Sequence, residues 1–227
     1  MAGGHSIAHG SRTTNNHIKI LTPLPNILFN NITFAFENER IVTNFSFEAK
    51  PGQHTLLKGE SGSGKSTLLK LLLGFYEPRR GTISVGHKDY DAQKVRKKTA
   101  WLPQDLNLGS GTVAEVMAKP FEFAANQSPQ DKNTQQNRIK TLKMLGLAPD
   151  TLDKSFRDLS TGQRQRIGLA ICRLLDKPLL LLDEPTSALD EASKQKAAEL
   201  LLTNDRTVIS TSHDPFWVAK ADNIIEL

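Results

Sequence analysis

Apolar and polar positions alternate early in the chain. Between Leu28 and Phe36, Ile32, Phe34 and Phe36 fall on one face and Thr33 and Ala35 on the other, the two-residue period of a half-buried strand. Phe45-Ser46-Phe47-Glu48 repeats the pattern before a turn at Pro51-Gly52. His54–Lys58 predicts another strand, and Ser66–Leu73 a helix that Gly74 ends. Thr82–Val85 and Thr99–Leu102 are further strand candidates. From Thr112 to about Asp158 the rhythm changes. Ile139, Leu142 and Leu145 recur at near-helical spacing in a polar background, and Gly146 supplies a C-cap. Strand character returns at Leu179–Leu182, followed by a helix over Glu191–Leu202, a strand over Thr207–Thr211, a short helix near Phe216–Lys220 and a strand over Ile224–Leu227. Strands alternating with helices predict a parallel sheet covered on both faces. The middle block predicts a helical subdomain, about 112–160, inserted between the two strand-rich halves. No internal repeat is visible.

At 227 residues the chain can bury a full core as one domain. Residues 1–25 read as a cloning remnant or disordered tail; they lack the apolar centre of a secretory signal, and the fold is expected from Asn26. No apolar run approaches the length of about 18 residues that a spanning helix needs. Leu68–Leu73 is broken by Lys70, so the chain itself is expected to be soluble. A net charge of +5 raises the question of a nucleic-acid partner, but the basic residues are scattered. The one dense run, Lys94-Val95-Arg96-Lys97-Lys98, has no interleaved aromatics; it reads as a solvated face, or else a contact with an anionic surface, and no nucleic acid is expected. The single Cys172 cannot form an internal disulfide, which fits a reducing compartment, and its apolar neighbours place it in the core.

Three stretches carry chemistry. Gly59-Glu60-Ser61-Gly62-Ser63-Gly64-Lys65-Ser66-Thr67 fits the spacing G-x-x-x-x-G-K-[ST] between a predicted strand and a predicted helix. Glycines there let backbone N–H groups turn inward around a phosphate, and Lys65 adds a point charge for the β- and γ-phosphates. Ser66 offers a hydroxyl to Mg²⁺, and the helix behind aims its positive end at the same anions. Leu179-Leu180-Leu181-Leu182-Asp183-Glu184 is an apolar strand that would carry two acids to the carboxyl edge of the sheet. Coupled to the phosphate loop, Asp183 orders Mg²⁺ through water and Glu184 polarises the attacking water. Ser160-Thr161-Gly162-Gln163 has the form of a capping box, with Ile167, Ala170, Ile171 and Leu174 as the buried stripe of the helix behind it.

Leu159-Ser160-Thr161-Gly162-Gln163 also resembles the Leu-Ser-Gly-Gly-Gln signature of the ATP-binding cassette (ABC) family, with Thr161 in place of a glycine. The order of motifs resembles that family too: the phosphate loop, Gln104 in Leu102-Pro103-Gln104-Asp105, the signature, the acidic strand end, and His213 in Ser210-Thr211-Ser212-His213-Asp214. Over residues 26–227 the resemblance implies an α/β fold, a P-loop NTPase parallel-sheet core with an antiparallel β subdomain and an inserted α-helical subdomain. It implies that Gly59, Glu60, Ser61, Gly62, Ser63, Gly64, Lys65, Ser66 and Thr67 bind ATP. Phe36 stands where the family stacks an aromatic on adenine, with Phe34 a core residue on the same face. The implied Mg²⁺ set is Ser66, Gln104 and Asp183, and the implied catalytic group is Glu184, His213 and Gln104. Ser160, Thr161, Gly162 and Gln163 would reach the γ-phosphate held by an opposite cassette. Ser187-Ala188-Leu189-Asp190 is similar to the loop that crosses that interface.

The resemblance thus implies an ATP hydrolase powering an ABC transporter, working as a homodimer or cassette heterodimer with ATP. A transmembrane permease would be its partner, with the cassette peripheral on the cytoplasmic face of the membrane. Both a separate subunit and a domain of a longer chain fit. The alternative is a non-transport ABC ATPase acting on DNA or ribosomes; such proteins carry a long coiled coil, a second cassette or large insertions, which are not seen here. A regulatory cassette that binds ATP without turnover is the third reading, and Glu184 and His213 weigh against it. Small GTPases are excluded by the lack of an Asn-Lys-x-Asp guanine reader, and protein kinases by the place of the lysine. The stretch from Leu147-Ala148-Pro149-Asp150 to Asp190-Glu191-Ala192-Ser193-Lys194 is somewhat similar to small bacterial cassettes linked to metal export.

Overall fold

A computed structural model describes residues 23–37, 39–86, 88–127 and 132–227; most of the expected tail, residues 1–22, lies outside them. In chain order the elements are β1 (Ile27–Phe36), β2 (Glu39–Ala49), β3 (His54–Lys58), α1 (Lys65–Leu72), β4 (Arg80–Val85), β5 (Lys88–Asp89), α2 (Ala92–Lys97) and β6 (Thr99–Leu102). Then come α3 (Val113–Ala118), α4 (Gln135–Met144), α5 (Thr161–Leu175), β7 (Leu179–Asp183), α6 (Glu191–Leu201), β8 (Thr207–Thr211), α7 (Pro215–Val218) and β9 (Asn223–Glu226).

The strands form two sheets. One is antiparallel, in the order β2-β1-β4-β5; the other is parallel, in the order β6-β7-β8-β3-β9. β7 and β8 are buried at every residue, as strands covered on both faces must be. Because successive side chains leave a strand on opposite faces, the parallel sheet separates two cores. Leu56, Leu180, Leu182 and Val208 pack with Ile167, Ala170 and Ile171 of α5 and with Leu200 and Leu201 of α6. Leu57, Leu179, Leu181 and Ile209 pack with Leu68, Leu69 and Leu72 of α1 and with Phe29, Ile32, Phe34 and Phe47 of the antiparallel sheet. Cys172 lies in the first core, 1% exposed.

The region between β6 and α5 is helical, but in short pieces. α3 starts on a complete capping box, Thr112 with Glu115, and Arg138 Nη1 of α4 donates to Ala114 O of α3 at 2.9 Å. Ile139 and Leu142 fall in α4 as the spacing predicts, while tight 3₁₀ turns at Lys119–Glu122 and Pro149–Asp153, each with a proline in its first positions, separate the helices. Leu142 and Leu145 join the core under α5. The basic run forms α2, which the sequence pattern did not reveal: Asp91 caps it by accepting from Lys94 N, Val95 is buried, and Lys94, Arg96, Lys97 and Lys98 are exposed. Among the described residues no helix is long and apolar enough to cross a membrane.

Candidate active site

The glycine-rich turn leaves the carboxyl end of β3 and enters α1 directly. Gly64 takes φ 100°, a region that favours glycine, and a Cβ there would stand 2.7 Å from Val42 Cγ2 and 3.1 Å from Ile41 Cγ2. The turn can therefore nest against β2 only without a side chain. Lys65 opens α1 and folds its ammonium back over the loop, donating from Nζ to Gly59 O at 2.8 Å and Glu60 O at 2.7 Å. Ser63 Oγ is buried within the loop and has no hydrogen-bond partner.

Two carboxylates face this loop from β7. The parallel register sets Asp183 beside Thr211, whose hydroxyl donates to Asp183 Oδ1 at 2.7 Å. Glu184 turns sharply out of the strand with φ 50°. Its N–H donates to Thr211 O at 3.2 Å and Thr211 Oγ1 at 3.0 Å, and its carbonyl accepts from Gln165 Nε2 at 3.0 Å and Ser187 Oγ at 3.2 Å. The Glu184 carboxylate lies 3.7 Å from His213 Nε2. Burial raises its pKa above the ordinary glutamate value and the nearby Asp183 charge adds to this, against the opposing pull of His213 and Lys65. A carboxylate shifted upward is a stronger base once ionised.

These segments meet at one cavity of about 360 Å³, lined among others by Ile41, Ser61, Gly62, Gly64, Lys65, Ser66, Thr67, Gln104, Asp183, Glu184, Ser187 and His213. A neighbouring hollow, lined by Gly59, Glu60, Ser61 and His213 with Lys58, Glu226 and Leu227, extends it along the loop. Residues from five separate stretches of sequence are thus brought together. Phe36 is not among the lining residues. It sits at the end of β1, 42% exposed, edge-on to Phe34 (centroids 4.9 Å apart) and Tyr76 (5.1 Å), while Phe34 is buried in the core.

Ser160, Thr161, Gly162 and Gln163 also lie outside this cavity. They open α5 through a reciprocal capping box, Ser160 Oγ accepting from Gln163 N at 3.2 Å and Gln163 Oε1 accepting from Ser160 N at 2.9 Å. Ser160 and Thr161 are exposed, whereas a Cβ on Gly162 would stand 2.6 Å from Ala188 O. Two residues that hold the site's side chains from behind were given no role by the sequence reading. Thr211 lay inside the quoted histidine motif, but its role follows only from the β7–β8 register. Gln165 lies two positions past the signature, where nothing in the sequence marks its contact.

The donors present suit Mg²⁺ with a nucleotide triphosphate. A loop of backbone donors with a partnerless buried hydroxyl matches phosphate oxygens. The serine hydroxyl of Ser66 and the single carboxylate of Asp183 match a cation that keeps waters and shares phosphate ligands. Among the described residues no group of three or more His, Cys, Asp or Glu side chains forms a closed metal cage.

Known proteins bear the same pattern. The sequence profile described as ABC transporter matches residues 42–187, more than half of the chain. ATP-dependent lipid A-core flippase 2 of Colwellia psychrerythraea is 34% identical over 214 residues, 88% of this chain and 36% of that protein. The mycobactin import ATP-binding/permease protein IrtA of Mycolicibacterium smegmatis is 34% identical over 209 residues, 89% of this chain and 24% of that protein. The chain spans well under half the length of either relative. Among solved structures, a bacterial Atm1-family ABC exporter with ATP bound superposes with a TM-score of 0.76 at 27% identity, covering 91% of this chain and 38% of the exporter chain. An ATP-binding subunit of an ABC transporter shares the fold with a TM-score of 0.76 at 22% identity, covering 88% of this chain and 85% of that one. With the motif order, the two-sheet fold and the profile match in agreement, this chain belongs to the ABC transporter family, as an ATP-binding cassette.

Proposed function

We propose that this chain is the ATP-hydrolysing cassette of an ABC transporter, and that it drives transport through a transmembrane partner from the cytoplasmic face of the membrane. The observation that carries the reading is the single cavity that collects Lys65, Ser66, Gln104, Asp183, Glu184 and His213 from distant parts of the chain. In this reading the loop Gly59–Thr67 binds the triphosphate, and Lys65 exchanges its two carbonyl partners for phosphate oxygens. Phe36 stacks on adenine. Ser66, Asp183 and Gln104 hold Mg²⁺, which when bound shields the phosphate charge and orients the oxygens. Glu184 accepts the proton of the attacking water, and His213, 3.7 Å from the Glu184 carboxylate, contacts the γ-phosphate. The site is completed by Ser160–Gln163 of a second cassette, so each dimer would hold two nucleotides at its seam. The permease would seat in the groove between the sheet core and the helical block, near Gln104.

Glu184→Gln tests this directly. It keeps side-chain shape and reach but cannot accept a proton, so ATP binding should persist while turnover falls by on the order of 10²–10⁴. Steady-state phosphate release alongside equilibrium ATP binding measures both. Wild-type turnover in the variant would remove Glu184 from the role of base.

A further inference from the structure

Glu184 is held in a conformation that side chains other than glycine avoid, and one of the groups holding it comes from outside the strand ends that build the site. At φ 50° its Cβ crowds the local backbone, and such a turn persists only where surrounding bonds fix it. Thr211, on the paired strand, fixes the Glu184 N–H, and Ser187, within the same turn, donates to the carbonyl from Oγ at 3.2 Å and from N at 3.4 Å. The remaining contact on that carbonyl is from Gln165 Nε2, at 3.0 Å, and Gln165 belongs to α5. Its side chain is almost fully buried, at 4% exposure. A carbonyl oxygen only accepts, so the amide must present its N–H to it. Three positions earlier, on the same face of α5, the missing Cβ of Gly162 lets Ala188 O approach closely. The first turns of α5 therefore touch the segment after β7 at two points, Glu184 and Ala188.

We propose that Gln165 is a positioning residue for Glu184, a strut by which α5 fixes the aim of the carboxylate into the cavity. The inference rests on Glu184 being the base, as proposed above, and adds a residue that does not itself line the site. Without the donor, the Glu184 carbonyl keeps only its contacts with Ser187 of the same turn and loses its tie to α5, so the strained residue is less firmly fixed. The Cα–Cβ bond then loses its fixed aim into the cavity, where Asp183 of β7, Lys65 of α1 and His213 beyond β8 surround the carboxylate. ATP binding depends on the loop and Lys65 and is left intact; alignment of the base is not. The same feature places α5, whose first residues are the signature, in mechanical contact with the hydrolytic step of its own chain.

Gln165→Met removes the donor while keeping length and packing, and Gln165→Glu replaces it with an isosteric acceptor. In the full chain both should bind ATP like wild type, with kcat lowered roughly tenfold to a hundredfold by the misplaced base. Wild-type kcat, with only thermal stability reduced, would overturn the proposal. So would a loss of ATP affinity in step with kcat, which marks a general disturbance of the site. Gln165→Asn, one methylene too short to reach, replaces the other two if they do not fold, and a wild-type kcat in it overturns the proposal equally. Glu184→Gln is measured in parallel. If that variant hydrolyses normally, the base assignment and the strut fail together; if it is inactive while Gln165→Met is normal, only the strut fails.

Discussion

His54, the first residue of β3, has its ring sealed between two partners. Nδ1 lies 3.1 Å from Lys220 O and Nε2 2.7 Å from Ser210 Oγ, which also accepts from Trp217 Nε1 at 3.0 Å. The carbonyl requires the proton on Nδ1, and in the neutral ring Nε2 then accepts from the serine hydroxyl. Burial lowers its pKa below the ordinary 6.5, more than the Lys220 carbonyl and the Asp222 charge raise it. The unfolded chain therefore takes up this proton at a higher pH than the folded chain does. The stabilisation is complete above the unfolded value and is lost as pH falls through 6.5 toward the folded one. His54→Gln keeps hydrogen-bonding groups without titrating. Its stability deficit relative to wild type, read from urea unfolding, should shrink between about pH 7.5 and about pH 5. A deficit independent of pH would show that the ring does not titrate on unfolding. Nothing in the sequence around His54 announces this network, since Ser210, Trp217 and Lys220 meet it only through the β3–β8 pairing.

α5 shows how legible an element is when local and long-range signals agree. Its capping box, its apolar stripe and its start at Thr161 all follow from spacing. β3 and β8 likewise fall where a short apolar run between turn residues put them. α2 was hidden because one buried residue, Val95, gives no period, and β5 because a strand of two residues has no pattern to read. The phosphate loop and the acidic strand end were legible because their chemistry needs a contiguous motif. The clamps on Glu184 were not, because they join α5, β7 and β8 through packing alone. The junction of α5 with the 184–188 segment makes a prediction of its own. Gly162→Ala places a methyl group 2.6 Å from Ala188 O, a backbone atom that cannot move aside by a rotamer change. The strain should cost roughly 1–3 kcal/mol despite the better helix propensity of alanine. Denaturant unfolding measures it; a variant as stable as wild type would mean that the loop over Ala188 yields freely.

At the scale of the whole molecule, the cavity and the signature residues Ser160 and Thr161 lie in one chain but do not meet, since both residues are exposed and line no part of the cavity. A second cassette supplies the missing side in the reading proposed above. Mixed with Mg-ATP, Glu184→Gln should elute from a sizing column as a dimer, because the nucleotide that bridges the seam is not consumed, while wild type elutes mainly as a monomer. A variant that stays monomeric at saturating ATP would count against the head-to-tail arrangement. The partition of the interior bears on a different matter. Leu179 and Leu181 belong to one core and Leu180 and Leu182 to the other, so the two packed regions share a sheet one backbone thick and few side chains. Substitutions in regions without shared partners act nearly independently. A change of packing against α5 and α6 should therefore leave the floor beneath the phosphate loop, built from Leu57, Leu68 and Leu72, nearly undisturbed.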